Sequence, residues 1–469
     1  MCDQLICIHF GQAGIQIGNA LWELLCIEHA ITPDGIPLDS GNKLKDNDNI
    51  FSFYDLGNTG NYIPRALLVD SESTVIDEVK NGVYRQLFNK NMMIHHVEDA
   101  ANNYARGSYT IGKKMIRAIS CRLRKLIEQT DSLRGFYVFN SDGGGTGSGL
   151  SPLVFLSLMK NYPKICRSNF SIVPGGNLSS AVVEPYNISL QNFAAVDTTD
   201  LNFLFENESL YDVCSKKLFI NNPTFTDVNR IFAKVIGCIS CPLRYASVLR
   251  SGIDDLLTNL VPYPRIHFPF VRYAPVNHVS RTSYENISTF ELTKELFSKE
   301  TQSLKVDTNK GLFIAMVLNY QGMVRSKDIY KYIDEVRQNR SNKFVEWSPN
   351  GFKVGICKQL PSINPMLEMA TTDQFATMLL NSTAIGEFFK SLARKFDCLF
   401  LKKAFIHWYL GEGMEEIEFQ ESRDEIELLI GDLREISMTE KEIMELSKND
   451  PLNKRIMGYR NNAERLASE

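Results

Sequence analysis

The segment GGGTGSG, from Gly143 to Gly149, places five glycines in seven positions and is the strongest candidate for binding chemistry. It follows an apolar run predicted to be a strand and precedes a helix predicted to begin near Leu150. Backbone N–H groups of residues 143–146 would face a ligand without side-chain obstruction, and the dipole of the helix favours an anion. The pattern predicts a phosphate cradle. The sequence contains no GxxxxGK[ST] motif, so backbone donors, the helix dipole and a metal must meet the phosphate charge without a lysine.

Carboxylates follow another predicted strand, in the segment LLVDSEST. Asp70 and Glu72 are candidate ligands of Mg²⁺, because carboxylates near phosphates bind this ion, usually through water. Asp70, like Asp99 further on, is equally suited to cap a helix N-terminus. The segment GQAGIQIG, at Gly11 to Gly18, resembles a dinucleotide-binding turn only in part, and a glycine turn packed against a sheet explains it as well.

Side chains suited to a ribose and a purine occur in three later segments, SSAVVEPYN, ENESLYD and FTDVN. All these groups follow apolar runs that alternate with helical patterns, which is typical of a parallel sheet with crossover helices. Such sheets bind ligands beyond the carboxyl ends of their strands. The sequence therefore predicts an α/β nucleotide-binding fold, with strands at 5–9, 66–69, 136–139, 170–173 and 202–205.

The pattern changes after NLVPYPR, whose two prolines are typical of a helix end. We expect a second domain there, with strands at 267–273, 313–319, 352–356 and 377–380. From residue 384 onward the pattern is almost wholly helical. Residues 414–434 predict an amphipathic helix with carboxylates on its outer face and an apolar side formed by Ile417, Ile426, Leu429 and Leu433.

Composition excludes several classes of protein. The formal charge of −4, from 51 basic and 55 acidic residues, argues against a nucleic-acid binder, which needs a clustered basic excess. Apolar runs fall far short of the roughly 20 residues that cross a bilayer, and the N-terminal residues lack a signal-peptide pattern, so we expect a cytosolic protein without membrane insertion.

The ten cysteines lack the regular spacing of a disulfide framework. Cys238 and Cys241 are expected to be a buried helical pair, with redox chemistry as the less favoured alternative.

Seven segments together resemble the tubulin family: GQAGIQIG, EDAANNYARG, GGGTGSG, AVVEPYN, TNLVPYPRIHFP, GFKVGI and HWYLGEGMEE. Within that family, DAANNYARG, AFIHWYLGEGMEE and the long segment at 359–374 resemble the α type. The resemblance implies the tubulin fold: a Rossmann-like parallel-sheet GTP-binding domain at 1–245, an α+β intermediate domain at 246–384, and a C-terminal helical hairpin with its tail at 385–469.

The resemblance also implies a GTP site with Mg²⁺. Glu72 would lie near the metal, with Asp70 as a second candidate ligand. In α-tubulins a glutamate on the helix before TNLVPYPR orients the water that attacks GTP on the next β-subunit, and Asp255 occupies that position here. The implied nucleotide contacts are Gln12, Glu72, Asp99, Asn102, Ser141, Gly144, Gly145, Thr146, Gly147, Ser180, Asn207, Phe225 and Asn229.

Ser180 and Phe225 replace the family's usual threonine and tyrosine with a hydroxyl and a ring kept, whereas Asp142 and Asp255 are departures that change the chemistry. Asp142 stands where the family has an apolar residue, and a carboxylate near phosphates is repelled unless a cation lies between them. We expect its side chain to turn to solvent; the alternative is that it recruits Mg²⁺. Asp255 is one methylene shorter than glutamate, and misplacing a catalytic group by about 1 Å costs about a hundredfold in rate. We therefore expect slow GTP hydrolysis, with Asp254 as a weaker substitute.

Other departures lie on surfaces that contact partners. Ser40 replaces the lysine that is acetylated in many α-tubulins, and Tyr284 replaces the usual histidine of the lateral-contact loop. Residues 434–469 carry seven basic and seven acidic side chains, whereas the family's tail is rich in glutamate. Motors and microtubule-associated proteins that read an acidic tail are therefore expected to bind less well.

Two functions fit these features. The first is an α-type subunit of cytoplasmic microtubules that pairs with β-tubulin, contacts other tubulin subunits laterally and is a weak GTPase, with its own nucleotide buried and seldom hydrolysed. The second is a tubulin-fold regulator that dimerises but does not build a normal lattice. An independent NTPase or dehydrogenase is disfavoured, because no lysine or general base lies among the phosphate loops and His9 and His267 are expected to be core residues.

Overall fold

The computed structural model describes residues 3–38, 49–57, 59–175, 181–281, 287–338, 344–348 and 350–438. Ser40, Ser180, Tyr284 and nearly all of the tail at 434–469 lie outside the described residues. Thirteen strands and thirteen α-helices are present in the described part.

The strands are β1 (Gln4–Phe10), β2 (Tyr54–Leu56), β3 (Tyr62–Pro64), β4 (Ala66–Asp70), β5 (Met93–His95), β6 (Leu133–Ser141), β7 (Cys166–Val173), β8 (Leu201–Glu206), β9 (Ser247–Leu249), β10 (Phe270–Ala274), β11 (Phe313–Gly322), β12 (Phe352–Cys357) and β13 (Gln374–Ser382). The α-helices are α1 (Gly11–Glu28), α2 (Thr74–Asn81), α3 (Lys113–Glu128), α4 (Gly145–Asn161), α5 (Glu184–Thr198), α6 (Asn207–Lys216), α7 (Phe225–Arg244), α8 (Ile253–Leu260), α9 (Thr289–Leu296), α10 (Ser326–Gln338), α11 (Gly386–Phe400), α12 (Ile406–Leu410) and α13 (Glu416–Ser437). A π-helical segment at Arg106–Gly112 leads directly into α3.

Eleven of the described strands form one sheet in the order β5-β4-β1-β6-β7-β8-β10-β13-β11-β12-β9. Neighbours from β5 to β10 run parallel, whereas β13 is antiparallel to both β10 and β11. This mostly parallel sheet with helices confirms the α/β class. The pairing of β8 with β10 carries the sheet across the boundary predicted at residue 245, and the division into domains stays a prediction.

The parallel strands are buried on both faces because helices cover both sides of the sheet. In β1, Leu5 and Cys7 belong to a core shared with α1 and α7, whereas Ile6 and Ile8 belong to a core shared with α3 and α4. Successive side chains of a strand point to opposite faces, so a strand buried twice reads as one continuous apolar run. This double burial holds the strand ends from which the site loops leave.

Another core joins strands of the second half to α9, α10, α11 and α13. On α13, Ile426, Leu429 and Leu433 are buried as predicted. Ile417 is 54% exposed, so its predicted place on the apolar side is wrong. Phe419 is buried instead. Residues two positions apart on a helix lie about 200° apart around its axis, so the burial of Phe419 turns Ile417 outward.

Each predicted strand overlaps an observed one. The prediction at 267–273 begins three residues too early, because β10 begins only at Phe270. The preceding residues form a turn, in which the Ile266 amide donates to the Tyr263 carbonyl at 2.9 Å. Among the described helices, none has the length and apolar character needed to cross a bilayer.

Candidate nucleotide-binding site

The candidate site lies at the carboxyl edge of the parallel strands. Because β4, β1, β6, β7 and β8 are parallel neighbours, their carboxyl ends meet along this edge. The glycine run leaves β6 here, and α4 begins at Gly145 with Gly144 as its N-cap residue. The prediction that this helix begins near Leu150 is therefore wrong. Glycine has a low helix propensity, which concealed the first turn of the helix in the sequence.

The glycines of the run serve two purposes. A Cβ atom added to Gly145 would lie 2.6 Å from the amide nitrogen of Asn103, and one added to Gly147 would lie 2.4 Å from the carbonyl oxygen of Ser141. These two glycines are required by the close approach of the protein's own backbone. A Cβ on Gly144 would meet no described atom within 4 Å. The space for a ligand is therefore at Gly144.

The glycine turn at the start of α1 also combines packing with access. A Cβ on Gly14 would lie 2.3 Å from the Phe139 carbonyl oxygen, which confirms the expected close packing of α1 on the sheet. Gly11 has a φ of +68°, a conformation that favours glycine. A Cβ on Gly11 would lie 3.6 Å from the Gly147 amide nitrogen. The starts of α1 and α4 are therefore adjacent at the site.

Asn187 ties the loop before the π-helical segment to the glycine run. Its side-chain amide donates to the carbonyl oxygens of Asn102 at 2.8 Å and Gly143 at 2.9 Å. Its side-chain oxygen accepts from the Tyr104 amide at 3.1 Å and the Tyr409 hydroxyl at 2.7 Å. Asn187 is fully buried, and buried hydrogen bonds of this kind hold geometry firmly. They bring Asn102 beside the glycine run.

Ser71 links three of the loops at this edge. Its hydroxyl lies 2.6 Å from the Thr146 hydroxyl and donates to an Asp99 carboxylate oxygen at 3.3 Å. The other Asp99 oxygen accepts from the Ala101 amide at 3.1 Å. The structure thus brings Asp99 and Thr146, both predicted nucleotide contacts, to one buried serine. Sequence reasoning missed Ser71, because a serine directly after a strand has no distinctive pattern.

Asp70 and Glu72, the candidate metal ligands, lie beside Asp99. Asp70 is buried at the end of β4 and accepts from the Ser71 amide at 2.7 Å. Burial raises the pKa of Asp70 to about 6; backbone hydrogen bonds lower it, and the nearby carboxylates of Asp99 and Glu72 raise it further. A cation at this edge would offset that repulsion, and carboxylate oxygens suit Mg²⁺. The described residues contain no group of three acidic, cysteine or histidine side chains arranged to hold a metal, so water and phosphate would complete the coordination.

Asp142 does not turn to solvent, and that prediction is wrong. Its side chain is fully buried, and one carboxylate oxygen accepts from the Asn140 side-chain amide at 3.1 Å. Its backbone amide donates to the Ile172 carbonyl at 3.0 Å, which extends the pairing of β6 with β7 and directs the side chain inward. Burial raises the pKa of Asp142 to about 7, although the nearby Ser171 hydroxyl and the hydrogen bond from Asn140 lower it. A carboxyl that is partly protonated near pH 7 repels phosphates less than a full charge does.

A cavity of about 380 Å³ between α1 and α7 is lined by Gln12, Phe225 and Asn229, three of the predicted nucleotide contacts. Phe225 begins α7 and is 61% exposed, with its ring centroid 5.9 Å from that of Tyr211. An exposed ring beside amide side chains suits the stacking and hydrogen bonding of a purine. Asn207 begins α6, directly after β8 at the same edge of the sheet.

Two family models match the chain. The Tubulin/FtsZ family GTPase domain matches residues 4–215, and the Tubulin C-terminal domain matches residues 264–394. The nucleomorph tubulin alpha chain of Guillardia theta is 43% identical over 441 residues, which cover 94% of this chain and 98% of that protein. The chain belongs to the tubulin family. The relative is an alpha chain, which supports the α type, and the GTPase-domain match contains the glycine run and the strand ends around it.

The residue that the tubulin resemblance assigns to catalysis lies away from this site. Asp255 is on α8, and α8 packs against the start of β6, where a Cβ on Gly135 would lie 2.8 Å from Cδ1 of Ile253. From Gly135 to Ser141 the strand covers roughly 20 Å. Asp255 is therefore at the amino edge of the sheet, opposite the cradle. It cannot reach a nucleotide bound to its own chain.

The two histidines and the cysteine pair of this tubulin are core residues, as predicted. His9 and His267 are fully buried, and burial lowers the pKa of His9 to about 3 and that of His267 to about 4. Cys238 and Cys241 are buried on α7, and burial raises the pKa of Cys238 to about 11. These groups are uncharged near pH 7 and serve packing.

Proposed function

We propose that this chain is an α-type tubulin subunit that binds GTP with Mg²⁺, pairs with β-tubulin and assembles into microtubules of the cytoplasmic cytoskeleton. The observation that carries the proposal is the position of two functional groups at opposite edges of one sheet. The cradle lies at the carboxyl edge, and the carboxylates of α8 lie at the amino edge. A head-to-tail contact brings the two edges together and repeats without closing, as a filament requires.

In this proposal the nucleotide is held by main-chain and side-chain groups from several strand ends. Amides at the start of α4 bind phosphate oxygens, because a helix N-terminus favours anions. Asp70 and Glu72 hold Mg²⁺ largely through water, and the ion neutralises phosphate charge when it is bound. The cavity lined by Gln12, Phe225 and Asn229 takes the guanine base.

GTP hydrolysis is proposed to be completed across the head-to-tail contact. A carboxylate on α8 faces the nucleotide of the next β-subunit and orients the attacking water there, which is how positioning groups assist phosphoryl transfer. The family motif indicates Asp255 for this role. The GTP of the α-type chain itself faces its β partner, so it is seldom hydrolysed. The chain is therefore a weak GTPase on its own.

Co-purification with β-tubulin, followed by co-sedimentation, tests this proposal. An α-type subunit should form polymer in a one-to-one ratio with β-tubulin and carry bound GTP. Tubulin dimers that contain the chain but stay in the supernatant would instead support the second function, a regulator that dimerises without building a lattice. The balanced charge of residues 434–469 favours that second function, because motors and microtubule-associated proteins commonly bind an acidic tail through its charge. A chain that neither pairs nor sediments would contradict both.

Binding of motors and microtubule-associated proteins is proposed to be weaker than for an acidic-tailed tubulin. The outer face of α13 keeps exposed acidic side chains at Glu421, Asp424 and Glu427. The electrostatic attraction of basic partners therefore depends on α13. This attraction weakens as the salt concentration rises, because exposed charges are screened. Motor binding to the copolymer, compared at low and physiological salt, measures the effect.

A further inference from the structure

α8 begins with two adjacent aspartates whose carboxylates have different surroundings. Asp255 turns back onto its own helix: one oxygen accepts from the Gly252 amide at 3.0 Å, and the other lies 3.5 Å from Nζ of Lys353. This is the capping arrangement in which the third helical residue bonds to the amide of the N-cap residue. The Asp255 side chain is 36% exposed, and both of its oxygens are directed at groups of its own chain.

Asp254 points outward instead. Its side chain is 75% exposed, and its carboxylate lies 3.9 Å from Nη1 of Arg134. Arg134 is held in turn by Asp3, whose carboxylate lies 3.0 Å from Nε of the arginine. The guanidinium approaches Asp254 from the start of β6 and leaves the rest of the carboxylate open to solvent, on the face that a head-to-tail neighbour would cover.

Positive charges surround these two aspartates. Arg250 and Lys353 line one cavity together with Asp255, and Arg134 lies beside Asp254. Asp3 pairs with both Arg134 and Arg250, so three cations face three carboxylates at this edge, and the cations attract the phosphates of a neighbouring nucleotide. A carboxylate placed here therefore approaches a phosphate group without the repulsion that it would meet alone.

Resting on the function proposed above, we infer that Asp254 is the carboxylate that acts on the neighbouring subunit's GTP, and that Asp255 holds α8 as its cap. The oxygen of a water molecule bonds to the γ-phosphorus while the bond to the β–γ bridging oxygen breaks, and that oxygen leaves on GDP with the electron pair. A proton of the water passes to the Asp254 carboxylate and then to the released phosphate. The family motif points to Asp255, but Asp255 would have to release the Gly252 amide to reach outward.

Phosphate release and polymer mass, measured in the same copolymers with β-tubulin, test this inference. Asp254→Asn should slow phosphate release per polymerised dimer about a hundredfold while polymer mass stays at the parent level, because a positioned base contributes about that factor. Asp254→Ser, a second variant without a carboxylate, should behave in the same way, and Asp254→Glu should restore release. Asp255→Asn should release phosphate at least tenfold faster than Asp254→Asn does. It should also lower the melting temperature, because the helix cap is weakened.

Asp424→Asn, an exposed change on α13, is the matched control for polymer mass. The inference is overturned if Asp255→Asn slows release as much as Asp254→Asn does, or if Asp254→Asn and Asp254→Ser both release phosphate at the parent rate. A parent chain that forms no polymer with β-tubulin would overturn the proposed function itself. That result appears before any variant is made, so the two failures are distinguishable.

Discussion

Replacing Asp142 by asparagine is expected to change how the stability of the protein depends on pH. The Asp142 side chain is fully buried, and burial raises its pKa from 3.8 to about 7. Asparagine has nearly the same size, and its side-chain oxygen can still accept from the Asn140 amide, but it does not ionise. The substitution therefore removes one ionisation and leaves the packing beneath the glycine run in place.

The sign of the effect follows from the two pKa values. Well below the unfolded pKa the carboxyl is protonated in both the folded and the unfolded chain. As the pH rises, the unfolded chain ionises first while the folded protein keeps its proton, so the free energy of unfolding falls until the pH passes the folded pKa. One pKa unit corresponds to about 1.4 kcal/mol, so the shift from 3.8 to about 7 costs about 4 kcal/mol in all. Between pH 5 and pH 8 the wild type should lose about 2 to 3 kcal/mol relative to Asp142→Asn.

Thermal unfolding of the purified full-length chain, at a fixed scan rate and saturating GTP, measures this difference. For a unit of about 200 residues, 1 kcal/mol shifts the melting temperature by about 2 to 4 °C. Asp142→Asn should therefore gain about 5 to 10 °C on the wild type between pH 5 and pH 8. Asp424→Asn removes an exposed carboxylate and should follow the wild type. A difference between wild type and Asp142→Asn that stays constant over this range would refute the reasoning.

Four further substitutions separate binding from folding. Ser71→Ala removes the hydroxyl that contacts Thr146 at 2.6 Å, and the loss of about 1 kcal/mol should speed GTP release about fivefold in a filter-retention assay. Gly145→Ala should lower the melting temperature by several degrees, because its Cβ meets a backbone nitrogen at 2.6 Å. Gly144→Ala should keep the melting temperature but weaken GTP binding, because its Cβ enters the open space proposed for the phosphates. Glu28→Gln removes the charge that lies 2.6 Å from a buried arginine, Arg244, and should lower the free energy of unfolding by about 3 kcal/mol in denaturant titrations.

Contradicting outcomes can be stated for Ser71→Ala, Gly144→Ala and Glu28→Gln. Unchanged GTP release from Ser71→Ala would mean that the serine does not order the site. If Gly144→Ala binds GTP normally, the phosphates do not bind at the open side of the glycine run. A loss below about 0.5 kcal/mol for Glu28→Gln would mean that the buried ion pair adds little over a neutral hydrogen bond.

The strands of the parallel half were predictable because a strand buried on both faces is apolar at every position of its sequence. Leu5 to Ile8 are apolar at every position, since alternate side chains enter two different cores. The edge at which ligand groups collect followed from the same pattern, since parallel strands end together. Local patterns of this kind report on neighbours that are near in sequence.

The features that were wrong or missed depend on contacts between distant segments. At Gly145, Gly147 and Gly149 an added Cβ atom would lie within 3 Å of backbone atoms of other residues, and that packing, not flexibility, sets their identity. Asp142 is buried because the β6–β7 pairing extends to it, three residues past the predicted strand. Ser71 and Asn187 act through partners from 28 to 222 positions away. No local pattern marks such residues.

The nucleotide content of the purified protein tests the central claim most directly. The amides at the start of α4, the carboxylates of Asp70 and Glu72, and the cavity beside Phe225 should together retain one guanine nucleotide per folded chain through gel filtration. Chromatography of the nucleotides released by denaturation measures this ratio. A folded chain that retains no guanine nucleotide, and takes none up from added GTP with Mg²⁺, would contradict the account.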